Sequence, residues 1–230
     1  MRELTASPFF GIALTVVAYW AGVKIQEKTR LAVCNSLLIT TLLLIAVLTV
    51  FKIPYESYNV GGNIIHTMLG PATACIAVSI YRKWDLLKKN VVPILAGCFV
   101  GAATGVLSVF LMCRLFGLDE TLTVTLLPKA VTTPIAVAVS EVYGGVVSIT
   151  AAAVIYTGIL GNLLAPFLIR LFRVEDDPLA AGLAIGACSH AIGTAKALEI
   201  GETEGAMSGL AIGICGLMTA VLALWFELLL

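Results

Sequence analysis

The stretches LLPKAVTTPIA, from Leu126 to Ala136, and ACSHAIGTAK, from Ala187 to Lys196, decide how this chain is read. Both set Pro, Gly, Lys, His, Ser or Thr inside segments that are otherwise hydrocarbon. In a bilayer every backbone N–H and C=O must find a partner within the protein, so interruptions of this kind persist only where they line a protein-enclosed or watery cavity. Secondary transporters build their substrate sites from such interrupted helices.

The membrane reading itself rests on composition and run length. Of the 230 residues 60% are hydrophobic and only 12% charged, against about 25% charged in an ordinary soluble domain. The uncharged runs Leu31–Phe51, Val91–Cys113, Gly145–Ile169 and Gly205–Phe226 all reach the roughly 20 residues that a spanning helix needs. Weaker segments at Pro8–Val23, Val60–Tyr81, Thr121–Ser140 and Pro178–Ala195 bring the expected total to about eight. The first of these is short, and the other three carry Pro, Gly, His or Lys, so each either crosses or re-enters on one side. The fold class expected is an all-α polytopic membrane protein with two or three discontinuous (broken or re-entrant) helices and internal repeats, transporter-like. Residues 1–230 read as a single integral membrane domain, with two N-terminal helices in 1–59 and a repeat-containing core in 60–230. Lys24, Lys28 and Arg30 follow the first apolar stretch rather than precede it, which argues against a cleaved signal peptide.

Net charge is zero, yet the loops Lys24–Arg30 and Arg82–Lys89 are basic and are expected on the cytoplasmic side. Later loops are mixed or acidic, leaving orientation beyond Leu118 open. The six cysteines, Cys34, Cys75, Cys98, Cys113, Cys188 and Cys215, form no CxxC pair and read as small buried hydrophobes. Cys188, beside Ser189 and His190, is the one placed for a functional role. Neither a metal-ligand cluster nor a nucleophile with base and orienter is present, so an enzyme is not expected, and nothing points to a cofactor or to nucleic acid.

An internal repeat is visible. VGAATGVLSVFLMCRLFGL (Val100–Leu118) aligns with YTGILGNLLAPFLIRLFRV (Tyr156–Val174), matching Gly105 to Gly161 and repeating the triplet RLF. A fainter third copy matches Gly213 and Gly216 to Gly158 and Gly161, and in each copy a polar segment precedes a glycine-bearing helix. The pairs Gly101/Gly105, Gly182/Gly186, Gly205/Gly209 and Gly209/Gly213 have the GxxxG spacing that lets helix backbones approach closely in lipid, within one protomer or across a homodimer.

The chemistry sits in the polar stretches. Pro128 and Pro134 bracket Lys129, Thr132 and Thr133, and because each proline lacks an N–H and disfavours helix in the residue before it, the helix must break here. Pro134 suits the first turn of a new half-helix capped by Thr132 or Thr133, a positive dipole end suited to carboxylate or phosphate. Lys129 adds a full charge, unless it snorkels to the interface or pairs with Glu141, Glu199 or Glu227. In the second stretch Ser189, His190, Gly193 and Thr194 permit another break and supply donors. His190 either couples transport to protons, with sodium as the other candidate ion, or is a hydrogen-bonded packing residue. Lys196 is an anion contact or an interfacial partner of Glu199. HTMLGPATACIAVSIY repeats the device more mildly, with a break expected at Gly70–Pro71, Thr73 as a possible cap, and Asn63 and His66 interfacial.

LLPKAVTTPIAVAVS, YGGVVSITAAAVIYTGILG, ACSHAIGTAKALEIGETEGAMS and the upstream LGPATACIAVSIY resemble the LrgB/CidB family of bacterial inner-membrane proteins, over nearly the whole chain from about Gly61 onward. Where the family usually has Ser, Pro and often Arg, this chain has Ala130, Ser79 and Lys196. The resemblance implies a multi-pass protein of the inner (cytoplasmic) membrane and two alternative roles. One is a holin/antiholin-like regulator of murein hydrolase export and autolysis, working with a small LrgA/CidA-type membrane partner. The other is a carboxylate carrier, since the plastidal glycolate/glycerate translocator resembles LrgA-like and LrgB-like parts fused, and bacterial relatives are tied to pyruvate. A lesion-forming protein needs no central Lys or converging helix ends, so the expectation is a carrier of pyruvate, glycolate or glycerate. Its substrate contacts are expected at Lys129, Thr132, Thr133, Pro134, Ser189, His190, Gly193, Thr194 and Lys196.

Overall fold

The computed structural model describes residues 7–29 and 36–226. Arg30, Cys34, Glu227 and the first residues of the run Leu31–Phe51 lie outside it. The described residues form helices and no strand. The helices are α1 (Pro8–Thr29), α2 (Ser36–Val50), α3 (Tyr55–Thr67), α4 (Leu69–Arg82), α5 (Trp84–Lys89), α6 (Val91–Leu115), α7 (Glu120–Leu126), α8 (Thr133–Val142), α9 (Val147–Leu171), α10 (Pro178–Ile200) and α11 (Glu202–Ala223). Five of them, α1, α6, α9, α10 and α11, are long and apolar enough to cross a membrane, and α2 and α8 are shorter apolar helices. The three other segments expected from the sequence correspond to α2, to the α3–α4 pair and to the α7–α8 pair.

Phe99, Phe167 and Leu217, on α6, α9 and α11, are 52%, 61% and 69% exposed. So much bare apolar surface suits contact with lipid and would be costly in water. The chain is a membrane protein.

It divides into two compact units, residues 1–75 and 76–230. In the first, α1 packs on α2 and α3. Gly11 and Gly61 lie so close that a Cβ on either would meet the backbone of the other helix, and Thr15 Oγ1 lies 2.9 Å from Tyr58 Oη. The interruption expected at Gly70–Pro71 falls earlier, at Met68, the C-cap of α3 (φ −72°, ψ −8°). Pro71 instead lies in the first turn of α4, where a missing N–H costs nothing. The side chain of Thr73 lies outside those described.

In the second unit α10 is not a straight rod. His190 has φ 43° and ψ −143°, far from helical values, and the chain reverses there. Ala197 packs with Ala181 and Ile185, and a Cβ on Gly193 would lie 3.1 Å from Ile185 Cγ2, eight residues back. In one continuous helix eight residues span about 12 Å. The neighbours of α11 agree: Gly182 faces Glu204 and Met207, Gly186 faces Ser208 and Ala211, yet Leu198 faces Gly205. The arm 178–189 therefore runs parallel to α11, the arm 191–200 runs antiparallel to it, and together they make a helical hairpin with His190 at its tip.

The pair α7–α8 makes a second hairpin. Asp119 caps α7, its Oδ1 accepting from Leu122 N at 2.7 Å, and Pro128 then ends the helix. Thr150 Oγ1, on α9, lies 3.0 Å from Thr125 O and 2.7 Å from Ser140 Oγ. The C-terminal ends of α7 and α8 thus sit side by side, and residues 127–132 form the tip between them.

Helix α6 fixes where both hairpins sit. Near its start Ile94 packs with Leu183, further along Gly101 faces Ala187 and Gly105 faces Ala130, and towards its end Val109 and Cys113 pack with Leu127. The hairpins approach from opposite ends of α6. Cysteines placed singly at Asp177 and Glu202, one at each end of α10, should react with a membrane-impermeant maleimide from the same face of the membrane. Labelling from opposite faces would mean that α10 crosses after all.

Candidate functional site

The two tips meet at the middle of α9. Val154 clusters with Val131 of the first tip and with Ala136, and His190 of the second tip donates from Nε2 to Val154 O at 3.0 Å. Small residues make this approach possible, which is what holds helices together in lipid, where burial gains nothing over hydrocarbon solvent. Gly158 faces the His190 ring and Gly161 faces Ser189, each so closely that a Cβ would overlap it. The matched glycines of the sequence repeat thus do related work: Gly158 and Gly161 accept the second hairpin, while Gly105 and Gly216 lie against Ala130 and Ile135 of the first.

A chain reversal exposes backbone carbonyls, and at the second tip two of them accept from side chains. Thr194 Oγ1 donates to His190 O at 3.1 Å, and the Ser208 hydroxyl, 2.7 Å away, completes that pair. Asn162 Nδ2 donates to Ile192 O at 2.9 Å. No buried side-chain N or O lacks a partner among the described residues. The left-handed φ of His190, a residue with a Cβ, costs on the order of 1–3 kcal/mol, which these bonds help to offset.

At the first tip Pro128 is buried, Lys129, Thr132 and Thr133 are half-buried, and Pro134 is exposed. Thr132 is the N-cap of α8 with extended backbone (φ −63°, ψ 147°), makes no side-chain capping bond, and leaves Pro134 in the first turn. Lys129 lines a groove of about 360 Å³ with Ser108, Met112, Phe116 and Leu126, on the side towards the end of α6. A larger cavity of about 520 Å³ lies between α9 and the first arm of α10, reaching Cys188 and Ser189 at its inner end, with apolar walls and no cation.

The residues expected to bind substrate are therefore brought to one region but not to one surface. Ser189, His190, Gly193 and Thr194 are buried at the second tip, where His190 and Thr194 are held in internal hydrogen bonds. Lys129 points into the α6 groove. Lys196, midway along the second arm, lies 2.7 Å from Glu199 Oε2. Among the described residues no His, Cys, Asp and Glu cluster could hold a metal. Asn162, Ser208 and the buried trio Thr125, Ser140 and Thr150 were not singled out from the sequence. Polar residues isolated inside apolar runs were the available signal.

A sequence model for the LrgB-like family matches residues 15–228. The chain is 39% identical over 207 residues to a Bacillus subtilis (strain 168) protein named Uncharacterized protein YxaC, covering 90% of each. It is 36% identical over 218 residues to the Antiholin-like protein LrgB of Bacillus cereus (strain B4264), covering 94% of each. No solved structure matches.

The hydroxyl cluster that closes the first hairpin gives a direct test of its role. Thr150→Val should cost about 1–3 kcal/mol in detergent unfolding, because it strands the Ser140 hydroxyl in a dry site, and adding Ser140→Ala should cost little more. Fully additive losses would mean that the two hydroxyls do not share a bond.

Proposed function

The chain belongs to the LrgB-like family, and on that premise we propose that it is a carrier for small monocarboxylates of the pyruvate, glycolate or glycerate type. The observation that carries this reading is the meeting of two helical hairpins, from opposite ends of α6, at Val154. On the proposed reading each hairpin dips into the bilayer from its own side and returns, and their tips form the barrier between the two aqueous faces. Interrupted backbone at membrane depth is the device by which carriers hold ions and substrates.

Lys129 supplies the charge for the carboxylate, and the N-terminus of α8 beside it adds the positive end of a helix dipole. His190 is the residue through which protons would couple. Its Nε2 is engaged with Val154 O, so Nδ1 is the atom that would take up or release a proton. No enzymatic step is proposed, and no cofactor. The protein's place is the inner, cytoplasmic membrane as a multi-pass protein.

A second reading is a regulator of murein hydrolase export and autolysis that acts with an LrgA/CidA-type membrane partner, or as a homodimer. The names of the Bacillus cereus relatives favour it: they say antiholin-like and do not mention transport. Such a protein would need neither a cation in a groove nor apposed hairpin tips.

Purified protein in liposomes separates the two. A carrier should take up labelled pyruvate or glycolate saturably, and Lys129→Ala should reduce uptake at least tenfold while leaving thermal unfolding unchanged. Dye leakage without saturable uptake would favour a pore, and co-purification of a small membrane partner with neither activity would favour the regulator.

A further inference from the structure

The larger cavity, between α9 and the first arm of α10, takes no part in the proposed carrier chemistry, and its shape says what fills it. Along the arm it runs from Ala180 to Ser189, and along α9 from Phe172 back to Thr157. Nine residues of helix span about 14 Å, close to half of the roughly 30 Å of hydrocarbon in a bilayer. The groove therefore starts beside the charged turn that joins α9 to α10 and ends at the hairpin tip, one leaflet deep.

Its floor is Gly161, Ala165, Ile169 and Ile185, while Leu164, Leu168, Ala184 and Cys188 along its rims are exposed. It is thus a trough open sideways. A small polar solute would not be held there, but an alkyl chain lying in it would meet apolar walls beneath and on both sides, recovering contacts that the lining otherwise lacks. Its volume is about 520 Å³, and its polar members, Thr157, Cys188 and Ser189, all sit at the inner end.

The mouth adds charge. Arg170, Arg173, Glu175 and Asp176 are all exposed there, and none of them takes part in an ion pair among the described residues. Asp177 is committed, accepting from Leu179 N and Ala180 N. Guanidinium groups and carboxylates at the end of an apolar trough match a headgroup that itself carries both signs, its phosphate on the arginines and its ammonium on the acids.

We infer that this groove binds one phospholipid of the phosphoethanolamine type, with the headgroup on residues 170–176 and one acyl chain laid between α9 and the first arm of α10 as far as Ser189. The inference does not depend on the carrier reading, since a regulator with the same groove would hold the same lipid.

The test is photolabelling of the full chain in nanodiscs, mapped by peptide mass spectrometry. The probe is phosphatidylethanolamine with a diazirine either at the end of one acyl chain or beside the ester. The chain-end probe should label Leu160, Leu164 and Cys188 at least fivefold above Phe99, an exposed residue of α6 close to Gly101, which faces Ala187. The ester probe should label Phe172 and Val174 instead. Ala184→Trp, or Leu168→Trp on the opposite rim, should cut labelling of the groove at least fivefold and leave that of Phe99 unchanged. Arg170→Gln combined with Arg173→Gln should lower it at least threefold, and unlabelled phosphatidylethanolamine should compete better than phosphatidylglycerol or phosphatidylcholine. Labelling no stronger than at Phe99, labelling that survives both tryptophan variants, or equal competition by the three lipids overturns the inference. So does a groove that stays unlabelled because a helix of a second copy lies in it.

Discussion

Nothing in this fold is more constraining than the rule that a peptide group inside hydrocarbon needs a partner. A chain that turns round inside a helical protein leaves carbonyls without helical partners, and at His190 side chains from α9 and α10 answer two of them. Thr194 takes the carbonyl of His190 itself, Asn162 reaches across from α9 to that of Ile192, and Ser208 supports Thr194 from α11. His190 in turn donates to the backbone of α9. Remove one of these and a buried polar group is stranded at a cost of about 1–3 kcal/mol. The glycines of α9 are the counterpart of the same constraint, since the donors reach the tip only because Gly158 and Gly161 have no side chains in the way.

Much of this was legible in the sequence, for reasons that can be traced residue by residue. Pro128 and Pro134 announce the first tip because two prolines six residues apart each remove an N–H and disfavour helix in the residue before; one proline alone does not suffice, since Pro166 lies inside the continuous α9. The second tip is marked less sharply by its residues. Gly193 looks like the natural hinge, yet the residue that adopts the left-handed backbone is His190, because the bonds around it compensate its strain while Gly193 is needed small, against Ser189 and Ile185. Hydropathy cannot see the reversal at all, as both arms of α10 are apolar enough to sum to one spanning helix. Partners distant in sequence were equally hidden: Thr125 and Thr150 stand 25 residues apart, and nothing local says that they share a hydrogen bond.

The candidate site shows the same division. That Lys129 stands beside a break follows from its neighbours in the chain, whereas the surface it faces depends on α6, whose register only the packing of Gly101 and Gly105 determines. Ser189 and Thr194 have the residue types of ligand contacts, but Thr194 is consumed in holding its own tip together, and Ser189 is buried against Gly161. Residue type alone does not distinguish a group that binds a ligand from one that makes the binding geometry possible.

The hairpin form of α10 has a consequence for how the repeat is arranged. On the carrier reading a hairpin returns to the side it came from, so a unit made of one hairpin and one long helix would pass through the bilayer once, and such units would alternate in orientation along the chain. The packing agrees with that arrangement: α9 runs antiparallel to the arm 178–189, with Gly161 facing Ser189 and Ile169 packing with Ala181, and that arm runs parallel to α11, so the long helices of the two copies point in opposite directions. Had α10 been a plain spanning helix, its copy would have made two passages, and that unit would have returned the chain to the side it came from.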